Sequence, residues 1–599
     1  MVLRRRFLLP LGLAIALLLV YYSWTNQNAY QWSGYGNTAQ GSHYEGEAVG
    51  DDEYFWRRVP THFPVPDMKH PPTGTPHQLP KIQAVFDRES EKDALIRRER
   101  QAAVKEAFVR SWVSYRQKAF MSDEIGPISG KSKNTFGGWG ATLVDSLDTL
   151  WMMEMKEEFE EAVEAVIKIN FESSSLKTVN AFETTIRYLG GFLAAYDLSG
   201  DPRLLQKAKE VGEMLYKTFD TPNRMPISRW DFGSAKRGWK QVAPEFALLA
   251  EVGSLCMEFT RLSLVTGDPK WFDATERVRE VFEDQQSTTL LPGMWPHTLN
   301  PRDKVFNSDN TFSLGALADS AYEYLPKMYA LMGGLLPSYK TMYEEAMKTA
   351  LNTNFFRPMV PDMPDILISG TVHVQKDGDK KIVNFENRGQ HLVCFAGGML
   401  AIGGKLVGNS EHLEAARKLT DGCIWTYQAM PLGIMPESFF LAPCESDKDC
   451  KWDETLWKQA ILKQASERDL TDMEKADRII RKFRLPKGFT QIPDPSYLLR
   501  PEAIESVFIL YRTTGRADLL ESAWMMFEAI QKNTKTSLAN SALSDINVDN
   551  NPKKTDSMES FWMGETLKYF YLIFSEPDLI SLDEWVFNTE AHPFKRLIR

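Results

Sequence analysis

Two glutamates stand three residues apart in LLRPEAIES, residues 498–506, at the start of an apolar segment. Pro501 suits a first helical turn, so Glu502 and Glu505 are predicted to share one face near the N-terminus of a helix. Taken alone, Glu502 could simply complement the helix dipole. Two carboxylates in different surroundings can instead supply a proton donor and a base.

Acidic residues recur near the starts of other apolar helical segments, namely Asp145, Asp148, Glu183, Glu245, Glu251, Asp319, Glu323, Glu559 and Glu565. If these helices send their N-termini to one end of a closed ring, the acids converge on a single pit with Arg187, His391 and Phe561. Such a pit fits glycoside hydrolysis, which needs a carboxylic acid and a carboxylate. Its surplus of oxygen ligands also fits a hard cation such as Ca²⁺.

An internal repeat provides the helices that must carry these acids. Residues 186–216 and 252–282 each read as an apolar helix, a Gly-Asp-Pro turn and an amphipathic helix. With looser copies and four further helical segments, about fourteen helices group into seven hairpins. Such repeats form an open solenoid or a closed toroid. The more apolar first helix of each pair favours the inner ring of a closed barrel.

The N-terminal region has a different composition. Residues 1–6 end in three arginines, and residues 7–23 are uncharged and almost wholly apolar. We interpret 7–23 as an uncleaved transmembrane signal anchor, with a cleaved signal peptide as the alternative. The positive-inside rule makes 1–6 a cytoplasmic tail and puts the remaining chain in a lumen. Residues 24–90 are polar and later Pro-rich, which predicts a stem or linker.

Residues 91–599 form the predicted catalytic domain, with a polar insertion at about 430–496. The chain has a net charge of −10, which argues against a nucleic-acid partner. Five cysteines show no zinc-type spacing, and a lumenal setting permits disulfides. Cys444 and Cys450 bracket a small loop, Cys394 and Cys423 would close a loop of two helices, and Cys256 is predicted to be a free core thiol.

The chain resembles the class I α-1,2-mannosidases, glycoside hydrolase family 47, of the fungal-like type that processes glycans in the Golgi or endoplasmic reticulum. The resemblance covers roughly residues 95–595 and rests on motifs in the family's order: GWGATLVDSLDTLWMM, FETTIRYLGG, ADSAYEYL, HLVCFAGG, LLRPEAIES, ESFWMGETLKY and FNTEAHP. It implies an all-α fold, an (α/α)7 barrel with a C-terminal β-hairpin around 586–594 plugging one end.

The resemblance also implies roles for individual residues. Glu183 matches the general acid, Glu502 the base that activates water, and Asp319 a third essential carboxylate. Thr589 matches the residue that binds Ca²⁺ through its carbonyl and hydroxyl oxygens, with Glu590 nearby through water. The predicted substrate-binding residues are Arg187, His391, Glu505, Phe561, Glu565, Asp148 and Glu251. Cys394 and Cys423 match the family disulfide.

The implied function is an inverting, Ca²⁺-dependent exo-α-1,2-mannosidase that trims high-mannose N-glycans on glycoproteins. We expect a monomeric, single-pass type II membrane protein of the Golgi or endoplasmic reticulum. The alternative is a degradation-enhancing, lectin-like factor in glycoprotein quality control. A third reading, an unrelated helical toroid such as an endoglucanase, would not predict the Asn-Thr-Glu hairpin.

Three residues depart from the family pattern. Leu317 stands where endoplasmic-reticulum-type members carry Arg, which predicts broader trimming towards a five-mannose product. Ala321 and Pro326 replace the usual aromatic residue and Leu. A proline inside a helix is expected to kink it or to end it early, which would affect the placement of Asp319.

Overall fold

Seven helical hairpins close into a ring in a computed structural model that describes residues 54–378, 380–446 and 450–599. The longer helices are α1 (Glu91–Lys118), α2 (Leu147–Met152), α3 (Lys156–Val166), α4 (Gly190–Ser199), α5 (Pro202–Tyr216), α6 (Cys256–Thr266), α7 (Lys270–Gln285), α8 (Asp319–Leu331), α9 (Pro337–Thr353), α10 (Phe395–Val407), α11 (Ser410–Ala429), α12 (Glu454–Gln464), α13 (Met473–Phe483), α14 (Glu502–Thr514), α15 (Asp518–Thr534) and α16 (Leu567–Ile573).

The inner ring consists of α2, α4, α6, α8, α10, α14 and α16, and each of these helices contacts the next. The π-helical segment Trp562–Thr566, which leads into α16, contacts α2 and so closes the ring. The outer partners are α3, α5, α7, α9, α11 and α15, and α1 packs on α16 as the seventh. The predicted (α/α)7 barrel is therefore confirmed.

The turns of the repeat have the predicted chemistry. Gly200 and Gly267 end α4 and α6 with φ of 75°, a left-handed conformation that glycine adopts without a steric penalty. Asp201 then caps α5 by accepting from the backbone N–H of Arg203, and Pro202 occupies the first turn. At these two turns the inner helix thus reverses directly into its outer partner.

Short elements connect the hairpins. The short helices are Phe55–Arg58, Ala141–Asp145, Ala181–Glu183, Phe232–Lys236 and Leu249–Gly253, with 3₁₀ turns at Lys217–Phe219 and Leu392–Cys394 and a second π-helix at Thr184–Leu189. The antiparallel strand pairs are Glu124–Ile125 with Ser132–Lys133, Thr178–Asn180 with Arg229–Asp231, Ala247–Leu248 with Thr298–Leu299, and Phe355–Phe356 with Ile368–Ser369. Two three-stranded sheets comprise Lys380–Glu386, Thr371–Asp377 and Thr311–Phe312, and Arg388–Gln390, Ser438–Leu441 and Phe489–Asp494.

A C-terminal β-hairpin pairs Trp585–Phe587 with Pro593–Lys595 and contacts α8 and α4. Its turn reaches the inner helices, where the Asn588 side-chain amide donates to the carbonyl of Ile186 at 3.0 Å. His592 Nδ1 lies 2.8 Å from a carboxylate oxygen of Asp148 on α2. The predicted plug is present, and it presents Thr589 and Glu590 from inside the ring.

The stem predicted over 24–90 needs a correction from Tyr54 onward. Trp56 is only 1% exposed, and its indole N–H donates to the carbonyl of Phe171 at 2.9 Å. Further along, the backbone N–H of Ile82 donates to Asp583 at 2.7 Å. Composition indicated that this segment could not fold alone, but the barrel supplies the apolar surface and hydrogen-bond partners that it lacks. We call residues 54–90 the strap.

The predicted insertion contains α12 and α13 and has a small core of its own, formed by Met359, Ala442, Trp457, Ile461 and Leu485. The disulfide Cys394–Cys423 is confirmed, and Cys444 is bonded to Cys450. Cys256 is a buried free thiol, as predicted.

Within the described ranges, none of the helices has the combined length and apolarity required to cross a bilayer. The predicted cytoplasmic tail at 1–6 and signal anchor at 7–23 lie outside those ranges.

Candidate active site

The N-terminal ends of several inner helices meet around a cavity of about 290 Å³. Its wall carries eight carboxylates, from Glu183, Asp319, Glu323, Glu502, Glu505, Glu559, Glu565 and Glu590, and two guanidinium groups, from Arg187 and Arg500. The remaining lining residues are Phe182, Ile186, Ser320, Leu392, Phe395, Pro501, Phe561 and Thr589. Seven of the eleven acids named from the sequence therefore converge, whereas Asp145, Asp148, Glu245 and Glu251 do not line this cavity.

Glu183 lies where a capped turn becomes a π-helix. The side chain of Asn180 accepts from the backbone N–H of Glu183, which fixes the start of this turn. Arg187, four residues on, donates to Glu183 at 3.0 Å and to Glu590 at 2.6 Å. Glu183 keeps 28% of its side chain exposed while Arg187 is buried, so part of the Glu183 carboxyl group faces the cavity.

Glu502 is the first residue of α14 and is held on two sides. His391 Nδ1 lies 2.8 Å from one carboxylate oxygen, and Arg500 Nη1 lies 3.7 Å from the other. Burial alone would raise the pKa of Glu502. The His391 hydrogen bond and the Arg500 charge outweigh burial and bring that pKa below its usual value. Glu502 is therefore an ionised carboxylate at neutral pH.

Asp319 is the first residue of α8 and has the opposite electrostatic character. Burial, together with the neighbouring charges of Glu323 and Glu502, raises the pKa of Asp319 to about 7. The helix continues to Leu331 with Pro326 inside it, so the proline does not end it early. The cavity thus places a carboxyl that can hold a proton beside one that is ionised.

Three further cavity carboxyls also have elevated pKa values. Burial is the main cause in each case, and it raises the pKa of Glu505 to about 8 and that of Glu590 to about 7. Glu565 is raised well above its usual range by burial and by its contact with Glu590. Two arginines are too few to neutralise eight acids, so this cavity has a deficit of positive charge.

That deficit and the available donors fit a hard cation. Thr589 lies in the cavity wall beside Glu590 and offers a hydroxyl and a carbonyl oxygen, the ligand type that Ca²⁺ prefers. In the described part of the chain, no group of three or more His, Cys, Asp or Glu side chains is arranged to hold a metal directly.

Two of the predicted substrate-binding residues do not line the cavity. Asp148 is fully buried, and its carboxylate binds Lys568 and His592 at 2.9 and 2.8 Å instead of lining the cavity. Glu251 is paired with Arg229 at 2.5 Å and lies 3.4 Å from the side-chain amide of Asn180. Through these contacts Asp148 holds the C-terminal hairpin and Glu251 holds the Asn180 turn, and both of these segments carry residues of the cavity wall.

His391 also acts through a neighbour, since it is fully buried and reaches the cavity through Glu502. The other predicted site residues, Glu183, Arg187, Asp319, Glu502, Glu505, Phe561, Glu565, Thr589 and Glu590, all line the cavity. Sequence reasoning named Glu323 and Glu559 among the recurring acids without selecting them, and it did not select Arg500, which lies in the LLRPEAIES motif. It passed over Lys327, although the spacing of Asp319, Glu323 and Lys327 places all three on one helix face.

Comparisons with known proteins agree with this geometry. Residues 107–596 match the model of glycosyl hydrolase family 47. The mannosyl-oligosaccharide 1,2-alpha-mannosidase of Arabidopsis thaliana is 34% identical over 512 residues, covering 84% of this chain and 80% of that protein. The endoplasmic reticulum mannosyl-oligosaccharide 1,2-alpha-mannosidase of Homo sapiens is 34% identical over 82% of this chain and 64% of that protein, so the chain spans less than two thirds of that relative.

Among solved structures, the alpha-1,2-mannosidase from Trichoderma reesei matches with a TM-score of 0.71 and 28% identity. The match covers 83% of this chain and 99% of the Trichoderma chain. Sequence, fold and the ring of cavity carboxylates lead to one conclusion: the chain belongs to glycosyl hydrolase family 47.

Proposed function

We propose that this protein is an inverting exo-α-1,2-mannosidase that removes terminal α-1,2-linked mannose from high-mannose N-glycans. The observation that carries the proposal is the convergence of Glu183, Asp319 and Glu502, from three separate helices, on one cavity. A closed pit with room for a small ring suits an enzyme that acts on chain ends. The relatives of 34% identity are named for the same reaction.

The residues have distinct tasks in the proposed reaction. Glu502, ionised and held by His391, takes a proton from the water that attacks the anomeric carbon. Glu183 donates a proton to the departing glycosidic oxygen, while Arg187 orients its carboxyl group at 3.0 Å. The C1–O bond breaks as the new C1–O bond forms on the opposite face, without a covalent intermediate. Asp319, with its pKa near 7, can act through water as a second proton-holding group.

We further propose that Ca²⁺ binds at Thr589, with Glu590 in contact through water. The carbonyl and hydroxyl of Thr589 would hold the ion, and the excess of cavity carboxylates would balance its charge. When bound, the ion supplies coordination positions that hold the oxygens of the sugar hydroxyls in place. Arg187 and Phe561 line the space that the sugar ring would occupy.

The physiological setting of this proposal is the secretory pathway, because N-glycans are carried there and the relatives include enzymes named for the endoplasmic reticulum. We propose that residues 7–23 anchor the chain as a type II membrane protein and that the barrel is lumenal. The two disulfides suit an oxidising lumen.

Incubation of the full chain with a nine-mannose glycan, with and without a chelator, tests the proposal. We expect free mannose to be released and the release to stop when Ca²⁺ is removed. Proton NMR of the first product should show β-mannose, because inversion of an α-linkage gives the β-anomer. Tight glycan binding without release would favour the lectin-like alternative and overturn the proposal.

A further inference from the structure

Lys327 is a lysine with no exposed surface, and both of its acidic partners line the cavity. Its ammonium group is hydrogen-bonded to Glu323, one turn earlier on α8, and lies 3.4 Å from Glu505 on α14. Lys327 itself does not line the cavity, while both of its partners do. Lys327 is thus a third cation at this site, and it lies behind the cavity wall, whereas Arg187 and Arg500 are part of that wall.

A fully buried lysine is costly unless it is paired. Although burial lowers its pKa, the charges of Glu323 and Glu505 more than compensate, so the pKa of Lys327 is raised and the group stays protonated. The charge is shared between two helices, α8 and α14, which carry Asp319 and Glu502 at their first positions. The ion pair therefore links the helices that hold two of the three candidate catalytic acids.

We propose that Lys327 is a positioning residue for sugar binding, because its ammonium group holds the carboxyl groups of Glu323 and Glu505 in the cavity wall, where sugar hydroxyls can reach them. The inference rests on the proposed function, in which Glu505 contacts the substrate. Sugar hydroxyls donate to ionised carboxylates more strongly than to neutral carboxyls. Lys327 does not touch the sugar, so its contribution is made through the two glutamates.

Other groups also act on Glu505. Burial and the charges of Glu323 and Glu502 raise its pKa while Lys327 lowers it, and the net pKa is about 8. The buried phenol of Tyr569 on α16 is hydrogen-bonded to Glu505. Without Lys327, Glu505 would keep its proton to a pH above about 8, and both glutamates would lose the donor that holds their carboxyl groups.

The test compares Lys327→Met with Lys327→Arg in the full chain. Binding of a mannose-configured iminosugar is measured by calorimetry, and hydrolysis of α-1,2-mannobiose is followed across pH. We expect Lys327→Met to raise Kd and KM at least about tenfold, with a smaller change in kcat. In Lys327→Met the loss of iminosugar affinity at low pH should extend to a higher pH than the corresponding loss in the wild type. Lys327→Arg should recover most of the affinity.

A matched control is Arg261→Met, which breaks another buried ion pair between inner helices, Arg261 with Asp197 at 2.6 Å. Neither of these residues lines the cavity. This control should lower thermal stability and leave Kd, KM and the pH profile unchanged. A purely structural lysine would behave in the same way as the control.

A folded Lys327→Met with Kd and KM within about twofold of wild type, a difference below 0.5 kcal/mol, would overturn the proposal. If that variant does not fold, Lys327→Met/Glu323→Gln removes one charge of each sign and is compared with Glu323→Gln alone. Equal affinities in that comparison would also overturn it. Iminosugar binding is measured without turnover, so a wild type that binds but releases no mannose refutes the proposed function and still tests Lys327.

Discussion

The Nδ1 atom of His391 lies 2.8 Å from Oε2 of Glu502, and its Nε2 lies 2.7 Å from the hydroxyl of Tyr427. An ionised carboxylate only accepts hydrogen bonds, so the Nδ1–H group donates to Glu502. In the neutral ring, Nε2 then accepts from the phenol of Tyr427. This buried chain fixes the orientation of Glu502 and favours its ionised form.

Replacing Glu502 with Gln removes the base while retaining the size of the side chain. We expect kcat to fall about a hundred- to ten-thousandfold, the usual contribution of general base catalysis. Melting temperature and iminosugar affinity should stay close to wild type. Hydrolysis of α-1,2-mannobiose checks the rate, and a variant that retains full activity would show that Glu502 is not the base.

Replacing His391 with Phe keeps an aromatic ring but removes the donor to Glu502. The pKa of Glu502 is below its usual value because of this donor and Arg500, so it should rise in the variant. Since the base must be ionised, the acidic limb of the kcat/KM profile should move to higher pH, by about one unit.

The same replacement changes the pH dependence of stability. A carboxylate whose folded pKa is lowered stabilises the fold above its unfolded pKa of about 4.3, and this contribution is lost as pH falls through the folded pKa. His391→Phe should therefore lose less stability than wild type on acidification below about pH 4. Urea unfolding at several pH values checks this, with Tyr427→Phe as a milder control. If the acidic limb of the kcat/KM profile does not move in His391→Phe, the role given to His391 is contradicted.

Helical periodicity and Gly-Asp-Pro turns predicted paired helices and favoured a closed ring, and the resemblance to the family implied the (α/α)7 barrel. The effect of Pro326 was harder to predict. A proline was expected to kink its helix or to end it early, and the early end is wrong, because α8 runs on to Leu331. Packing of a fully buried helix outweighs the loss of one hydrogen bond, and that packing is not visible in local sequence.

The acids of the site illustrate the same limit. Asp148 and Glu183 both stand near the start of an apolar helix, so sequence alone gives them equal standing. The difference arises from the C-terminal hairpin, which covers Asp148 with His592 and leaves Glu183 facing the cavity. The strap is a comparable case, because its partners lie hundreds of residues away along the chain.

Ca²⁺ should raise the melting temperature of the wild type, because a ligand that binds only the folded state stabilises it by mass action. At a hundred times Kd the gain is about 2.7 kcal/mol. Thr589→Ala should lose most of this gain, since it removes the side-chain oxygen. Thr589→Ser keeps the hydroxyl and serves as the matched control. Differential scanning calorimetry with and without chelator checks the effect, and equal Ca²⁺ responses in wild type and Thr589→Ala would rule out this site.

Removal of the strap should destabilise the barrel without altering its chemistry. Trp56→Ala deletes a side chain that is 1% exposed, and we expect a loss of about 3–5 kcal/mol in the free energy of unfolding. Because Trp56 binds the loop at Phe171 and does not line the cavity, kcat/KM at 25 °C should be unchanged. Arg58→Ala, at an exposed position in the same short helix, should change little. If a chain starting at residue 91 unfolds at the same temperature as one starting at residue 54, the strap adds no stability.

Leu317 is expected to influence how far trimming proceeds. It is 43% exposed, stands two residues before Asp319, and its carbonyl accepts from the backbone N–H of Ala250 at 2.9 Å. An arginine here would place a fork of donors beside the cavity, where it can hold one glycan branch and exclude others. We expect the wild type to trim a nine-mannose glycan towards five mannoses and Leu317→Arg to accumulate an eight-mannose product. Leu317→Met is the control, mass spectrometry of the products is the measurement, and a wild type that stops after one mannose would refute this role for Leu317.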